Sequence, residues 1–83
     1  MINIGQEIAK ELNCQERTVS WLARKLNCSR SGVYRILDRN SVDTRLLEEI
    51  SLILRRNFFD EFSVETSEML SKPSDEVNNR HNV

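Results

Sequence analysis

A very short connection between two helix-like segments is the feature that most constrains this fold. In the stretch LARKLNCSRSGVYRIL, residues 22–37, two runs with apolar residues at helical spacing are separated by only a few residues. Such a connection forces the two helices to cross steeply and in contact. The junction of the two helices needs a small residue where their backbones meet and a residue in the turn that tolerates a left-handed conformation. It also needs an aliphatic residue from the second helix to pack between them. Ala23, Asn27 and Val33 meet these needs.

The rest of the sequence predicts an all-α protein with five helices. Glycine occurs twice and proline once in 83 residues, and no strand-like alternation persists. Four of the five apolar segments follow a residue that favours a helix N-cap, namely Asn3, Thr18, Ser29 and Asp43, and the fifth follows Asn57. The predicted core residues are Ile4, Ile8, Leu12, Val19, Leu22, Ala23, Leu26, Val33, Ile36, Leu37, Leu46, Leu47, Ile50, Ile53, Leu54, Phe58, Phe59 and Phe62.

The composition changes after residue 63. Residues 64–83 are rich in Ser, Glu and Asn and carry few apolar side chains. Such a segment cannot bury enough apolar surface to fold by itself. We predict a compact folded domain over residues 1–63 and a flexible C-terminal tail over residues 64–83, with one helical turn near residues 66–71.

Size and residue content argue against several classes of function. The chain is long enough for one domain at most. No apolar run approaches the ~20 residues of a membrane helix, and the N-terminus has no secretory signal. We therefore expect a cytoplasmic protein without a membrane partner.

The polar residues do not predict a catalytic or metal site. Cys14, Cys28 and His81 fall short of the four ligands that a zinc site usually has, and the cysteines are expected to serve as small core groups. No nucleophile, base and orienting group occur as a set. We expect no enzyme activity, no catalytic residue, no metal, no cofactor and no small-molecule ligand.

The distribution of charge indicates a surface that faces phosphates. The net charge of −1 at pH 7 gives no hint of a nucleic-acid partner by itself. Residues 17–39, however, hold six basic residues and one acid, a local net charge of +5, whereas residues 1–16, residues 40–62 and the remaining tail are each at −2. A basic segment of this kind is typical of nucleic-acid contact. The alternative is an ordinary solvated helix surface.

The third predicted helix separates into a polar and an apolar arc. At about 100° per residue, Arg30, Ser31, Tyr34 and Arg35 share one arc, and the aliphatic residues share the other. Arginine can bind guanine through two hydrogen bonds, serine can contact several base edges, and tyrosine can reach a phosphate or a thymine methyl group. Gly32 lies at the arc boundary, where glycine permits close backbone approach at a cost of about 1 kcal/mol relative to alanine.

The region around this helix resembles a known protein family. TVSWLARKLNCSRSGVYRILDRN, residues 18–40, is similar to the helix-turn-helix of phage-repressor and Cro-type regulators, the lambda-repressor-like XRE family. The shared pattern is a Thr cap, a Leu-Ala pair, and a Ser-Arg-Ser start to the second helix followed by Gly-Val. The segments VDTRLLEEISLIL and NFFDEF look like the family's fourth and fifth helices, so the resemblance covers about residues 3–62.

The resemblance implies a bacterial or phage transcription regulator, repressor-like and located at the nucleoid, that binds double-stranded DNA sequence-specifically with its third helix in the major groove. Carried over by position, the base-contacting residues are Arg30, Ser31, Tyr34 and Arg35. The phosphate-contacting residues are Arg17, Thr18, Ser29 and Arg39. Two positions depart from the family pattern: Val19 stands where glutamine is frequent, with Arg17 as its expected substitute, and Asn27 replaces the glycine of the turn.

Two hypotheses concern protein partners. The aromatic residues Phe58, Phe59 and Phe62 exceed what a short terminal helix normally buries, so they and the C-terminal region are candidates for a homodimer interface. The alternative to a DNA-binding regulator is an antitoxin-like or adaptor protein that acts mainly through a protein partner, with the tail folding on contact. A clear amphipathic helix in the tail would favour that alternative.

Overall fold

Five α-helices and no β-strand make up the computed structural model, which describes residues 1–72. The helices are α1 (Ile4–Cys14), α2 (Val19–Leu26), α3 (Arg30–Leu37), α4 (Thr44–Leu54) and α5 (Phe59–Ser71). α3 packs against both α1 and α2, and α2 also packs against α4. The prediction of an all-α fold is confirmed over this range. No helix within it is long and apolar enough to cross a membrane.

The first four helices begin at their predicted N-caps. The side chains of Asn3, Thr18, Ser29 and Asp43 each accept a hydrogen bond from the amide three residues further on. Each cap satisfies one of the four N–H groups that the start of a helix leaves without a partner. α5 begins after Asn57, whose side-chain oxygen accepts from the amide of Phe59 over 3.0 Å.

The core is formed by one aliphatic stripe from each of the first four helices and one aromatic ring. Its buried members are Ile4, Ile8, Leu12, Leu22, Ala23, Val33, Leu47, Ile50, Leu54 and Phe58. The other predicted core residues pack, partly buried, against this cluster. The predicted core is therefore confirmed, because the apolar positions recur at the period of a helix and so face one side.

The expectation that both cysteines serve as core groups is wrong. Cys14 and Cys28 are exposed free thiols. Cys14 lies two residues beyond Leu12, which places it about 200° around the helix from the buried stripe of α1. Cys28 lies in the turn between α2 and α3, at the protein surface. Neither position can direct a side chain into the core.

The predicted domain boundary at residue 63 lies inside a helix. α5 continues to Ser71, so all of residues 64–71 are helical, whereas the prediction placed only one helical turn there, near residues 66–71, within a flexible tail. They contain no glycine or proline, and Pro73 disfavours helical geometry at the preceding residue. Lys72 is accordingly extended, with φ −79° and ψ 138°. The rest of the predicted tail, residues 73–83, lies outside the described residues.

The first turn of α1 lies directly against the segment that leaves α3. The amide of Gly5 donates to the carbonyl oxygen of Arg39 over 3.0 Å, and the amide of Ile4 donates to that of Asn40 over the same distance. Gly5 is buried and has no room for a side chain. A β-carbon there would lie 2.5 Å from the carbonyl oxygen of Arg39 and closer still to that of Leu37. Glycine therefore sets the distance between α1 and the end of α3.

A second long-range contact joins α1 to α5. The guanidinium of Arg56 lies 2.9 Å from a carboxylate oxygen of Glu11 and 3.4 Å from one of Glu7, and it also pairs with Glu61. A hydrogen bond from Gln15 holds the pKa of Glu11 below its ordinary value of 4.5; burial opposes this shift and Arg56 adds to it. The Arg56 side chain is 28% exposed, so water only partly screens these pairs.

We expect Gly5→Ala to lower the free energy of unfolding by about 2 kcal/mol or more, because the added methyl group overlaps backbone atoms that cannot move separately. Gly32→Ala is the matched control. A β-carbon at Gly32 meets nothing closer than Ser29 Oγ at 3.4 Å, so this variant should gain about 0.5–1 kcal/mol from helix propensity. Urea unfolding of both variants measures the two effects, and equal stabilities would contradict the steric role of Gly5.

We expect Arg56→Met to lower the free energy of unfolding at neutral pH by about 1–3 kcal/mol, because three carboxylates lose their shared partner. The depressed pKa of Glu11 stabilises the fold above pH 4.5, and this stability is lost as the pH falls through the folded-state value. In the Arg56→Met variant, Glu11 still accepts the hydrogen bond from Gln15. Part of the loss of stability at acidic pH should therefore remain.

Urea unfolding at neutral and acidic pH measures both effects of the Arg56 substitution. Lys10→Met is the control, because Lys10 pairs with Glu7 at 3.5 Å but is 71% exposed. Its loss should cost less than about 0.5 kcal/mol. Equal losses in the two variants would show that Arg56 is no more than a surface charge.

Candidate nucleic-acid interface

The joint between α2 and α3 has the predicted left-handed turn. Asn27 has φ 61° and ψ 45°. Its amide donates to the carbonyl oxygen of Arg24 over 3.2 Å, and the amide of Cys28 donates to that of Ala23 over 2.9 Å. These bonds satisfy carbonyl groups that the end of α2 would otherwise leave free. Ser29 then caps α3 at once, so the two helices are held in one fixed relation.

α3 presents its polar arc to solvent, as its sequence predicts. Val33 is fully buried and anchors the opposite face. Tyr34 is 60% exposed, and Arg30, Ser31 and Arg35 are also exposed. The four predicted base-contacting side chains therefore share one outward surface on a single helix, where nothing in residues 1–72 covers them.

The four predicted phosphate-contacting residues are also exposed. Thr18 and Ser29 use a side-chain oxygen to cap their helices, at 3.0 Å from the amide of Trp21 and 3.1 Å from that of Gly32. A capping hydroxyl accepts through its oxygen and still has a proton to donate, and the hydroxyl of Ser29 also shares a hydrogen bond of 3.2 Å with the hydroxyl of Ser31. Arg39 follows α3, and its peptide group is fixed by the bond from Gly5. Both helix starts and the end of α3 can therefore present donors to an anion.

In the part of the chain that the structure describes, no carboxylate neutralises the cations of the basic segment. Within residues 1–72, none of the six basic side chains of residues 17–39 forms an ion pair with a carboxylate. Lys10 and Arg56, outside this segment, do form such pairs. The local charge of +5 is therefore available to an external anion, and dissolved counterions must balance it when no partner is bound.

Trp21 organises part of this basic surface. Its partly buried ring lies 4.4 Å from the guanidinium carbon of Arg17 and 5.8 Å from the ammonium of Lys25. Contacts between a cation and an aromatic face within about 6 Å are attractive. They hold Arg17 beside the start of α2. The spacing of these three residues, four apart along the chain, is the sequence signal that could have predicted the stack.

The three aromatic residues predicted for a homodimer interface differ in their burial. Phe58 is fully buried and cannot reach a partner, which corrects its proposed place in an interface. Its ring lies 4.7 Å from the guanidinium carbon of Arg56 and closes the core beneath the turn before α5. Phe59 and Phe62 are only partly buried. The difference arises because Phe58 precedes the helix and points into the core.

Comparison of the chain with family models, with curated proteins and with solved structures finds no match. Among the residues that the structure describes, no group of His, Cys, Asp and Glu side chains could hold a metal ion.

Proposed function

We propose that this protein binds double-stranded DNA sequence-specifically, as a transcription regulator of the lambda-repressor-like XRE type with α3 in the major groove. One observation carries the proposal: the exposed arc of α3 presents Arg30 and Arg35, which form no ion pair within residues 1–72. The major groove of B-DNA admits an α-helix and displays a distinct donor and acceptor pattern for each base pair. Its phosphates supply the anions that the basic surface lacks.

The two ends of α3 have different roles in this proposal. Arg30 and Ser31 lie in the first turn, the part of a recognition helix that enters the groove most deeply. Tyr34 and Arg35 lie about one turn later and reach the neighbouring base pair or the groove wall. Arg39 lies beyond the helix and meets the backbone. Base contacts would give specificity, and the phosphate contacts would fix the position of α3.

The acidic surroundings of the basic segment support a single docking orientation. The segments on either side of residues 17–39 each carry a net charge of −2. Phosphates repel those surfaces, so that nonspecific binding through another face is disfavoured. A protein with an overall charge of −1 can in this way bind a polyanion through one face only.

Selection of the full chain on a random duplex library should enrich one motif, and binding to the enriched duplex should weaken steeply with salt. If four to six phosphates are contacted, the logarithm of the affinity falls with the logarithm of salt concentration with a slope of about −4 to −5. Fluorescence anisotropy of a labelled duplex measures this slope. No enriched motif together with no salt dependence would overturn the proposal.

Alanine substitutions separate base contacts from phosphate contacts. We expect Arg30→Ala to cost about 1–3 kcal/mol on the enriched duplex and to relax specificity at one base pair. Arg39→Ala should weaken binding about equally on all duplexes. It should also make the salt slope shallower by about one unit, because one phosphate contact is lost. Lys72→Ala removes the same charge away from the basic segment and is the control. If all three variants bind alike, α3 is not the contact surface.

Gly32→Ala tests whether DNA approaches the backbone of α3 closely. The protein's own packing does not require glycine here, since a β-carbon would make ordinary contacts. We expect the variant to be at least as stable as the parent chain and yet to bind the enriched duplex about tenfold more weakly, a loss of about 1.4 kcal/mol. Unchanged affinity in the anisotropy assay would place Gly32 outside the contact.

A protein-binding adaptor is the second candidate, and the outer half of α5 favours it. Met69 and Leu70 are 59% and 68% exposed. They continue the arc of α5 that carries Phe59 and Phe62, beyond the point where the core ends. An exposed apolar extension of this kind is typical of a partner-binding helix. The duplex selection decides between the candidates, because an adaptor enriches no sequence.

A further inference from the structure

Trp21 is the single tryptophan of the chain, and it lies inside the basic segment. Its ring is partly buried and packs against the core cluster. Its amide donates to the capping oxygen of Thr18 over 3.0 Å, so the first turn of α2 also fixes its backbone. An aromatic side chain held in this way loses little further freedom and forms a rigid support for the groups on its outer side.

Two cations lie against this ring. The guanidinium carbon of Arg17 is 4.4 Å from the ring centroid, and the ammonium nitrogen of Lys25 is 5.8 Å from it. Both residues are exposed, and neither forms an ion pair within residues 1–72. The attraction of each cation to the ring therefore keeps two like charges on one side chain. An external anion would reduce their mutual repulsion.

The backbone of Arg17 is fixed by the end of α1. Its amide donates to the carbonyl oxygen of Leu12 over 2.9 Å, and the amide of Glu16 donates to that of Asn13 over 3.0 Å. Glu16 has a left-handed φ of 57°, which is the usual geometry of a helix end closed by two such bonds. Arg17 is thus attached to α1 through its backbone and to α2 through the ring of Trp21.

This double attachment matters for binding an anion. A free arginine or lysine side chain samples many rotamers, and a phosphate contact that fixes one rotamer costs conformational entropy. For Arg17, contact with the ring has already removed much of that freedom before any anion arrives. Packing against the core alone would require only an apolar side chain at position 21, whereas holding two cations requires an aromatic face.

We infer that Trp21 is a positioning residue for DNA binding, which holds Arg17 and Lys25 where they meet backbone phosphates beside α2. The inference rests on the proposed function, since the phosphates are those of the bound duplex. Trp21 acts through the two cations and does not itself read a base. The affinity of the basic surface thus depends on an aromatic side chain that carries no charge.

Quenching of the Trp21 fluorescence tests the stack in the full chain without DNA. Because the chain has one tryptophan, the emission reports on this place alone. At constant ionic strength, we expect the anion iodide to quench the parent chain more strongly than the Arg17→Gln variant, since a nearby cation attracts the quencher. The neutral quencher acrylamide should show the opposite order, because the guanidinium covers part of the ring.

Arg24→Gln is the matched control for quenching. Arg24 is an exposed cation of the same helix, and it is not one of the cations that contact the ring within residues 1–72. Its loss should leave iodide quenching near the parent value. Equal iodide quenching of the parent chain and the Arg17→Gln variant would overturn the inference.

A double-mutant cycle on the enriched duplex tests the role of Trp21 in binding. We expect Trp21→Leu, which keeps an apolar side chain, to weaken binding in the anisotropy assay about three- to tenfold. Trp21→Phe keeps an aromatic face and should bind within about twofold of the parent chain. In the Arg17→Gln background, Trp21→Leu should have a clearly smaller effect, whereas its effect should be unchanged in the Arg24→Gln background.

The outcomes separate this inference from the proposed function. Helicity and urea unfolding of each variant establish that it is folded. If no duplex is enriched, the proposed function fails and the inference fails with it. If a duplex is enriched and Trp21→Leu binds it as the parent chain does, only the inference fails. Equal effects of Trp21→Leu with and without Arg17 would also overturn it, because Trp21 would then act by packing alone.

Discussion

The contact between Gly5 and the segment leaving α3 fixes the position of the proposed recognition helix. α3 has only eight residues, too few for a stable helix in isolation, so it depends on its packing against α1 and α2 and on the way its two ends are attached. Its start is set by the left-handed turn at Asn27 and the cap at Ser29. Its end is set by the hydrogen bonds from Ile4 and Gly5. With both ends attached to other helices, the outward arc of α3 has one orientation relative to the rest of the surface.

Arg56 and the six basic residues of residues 17–39 have physically different roles. Arg56 is partly buried and shares its guanidinium among three carboxylates, so its charge stabilises the fold. The six cations of residues 17–39 lie on the surface and have no carboxylate partner in the part of the chain described. The same residue type therefore acts as a structural anchor in one place and as an available charge in the other. The net charge of −1 does not reveal this difference, because the acidic segments offset the basic one.

The two proposed contacts use different parts of the chain. The DNA contact uses exposed residues of α2 and α3, whereas the partner-binding alternative uses the outer half of α5, where Met69 and Leu70 are exposed.

Local signals in the sequence determined the starts of the first four helices, the buried stripes and the outward arc of α3, because each depends on residues within one or two turns of one another. The Asn27 turn and the exposure of the four predicted base-contacting residues followed from the same short-range rules. Tertiary structure alone decided the contacts between distant segments. Gly5 meets Arg39, and Arg56 pairs with Glu11 and Glu7 across 45 and 49 residues. It also decided which of the three phenylalanines at the start of α5 is fully buried, namely Phe58. No periodic pattern encodes such contacts, since they depend on how whole helices pack, and for that reason the anchors of the proposed site were not visible in the sequence.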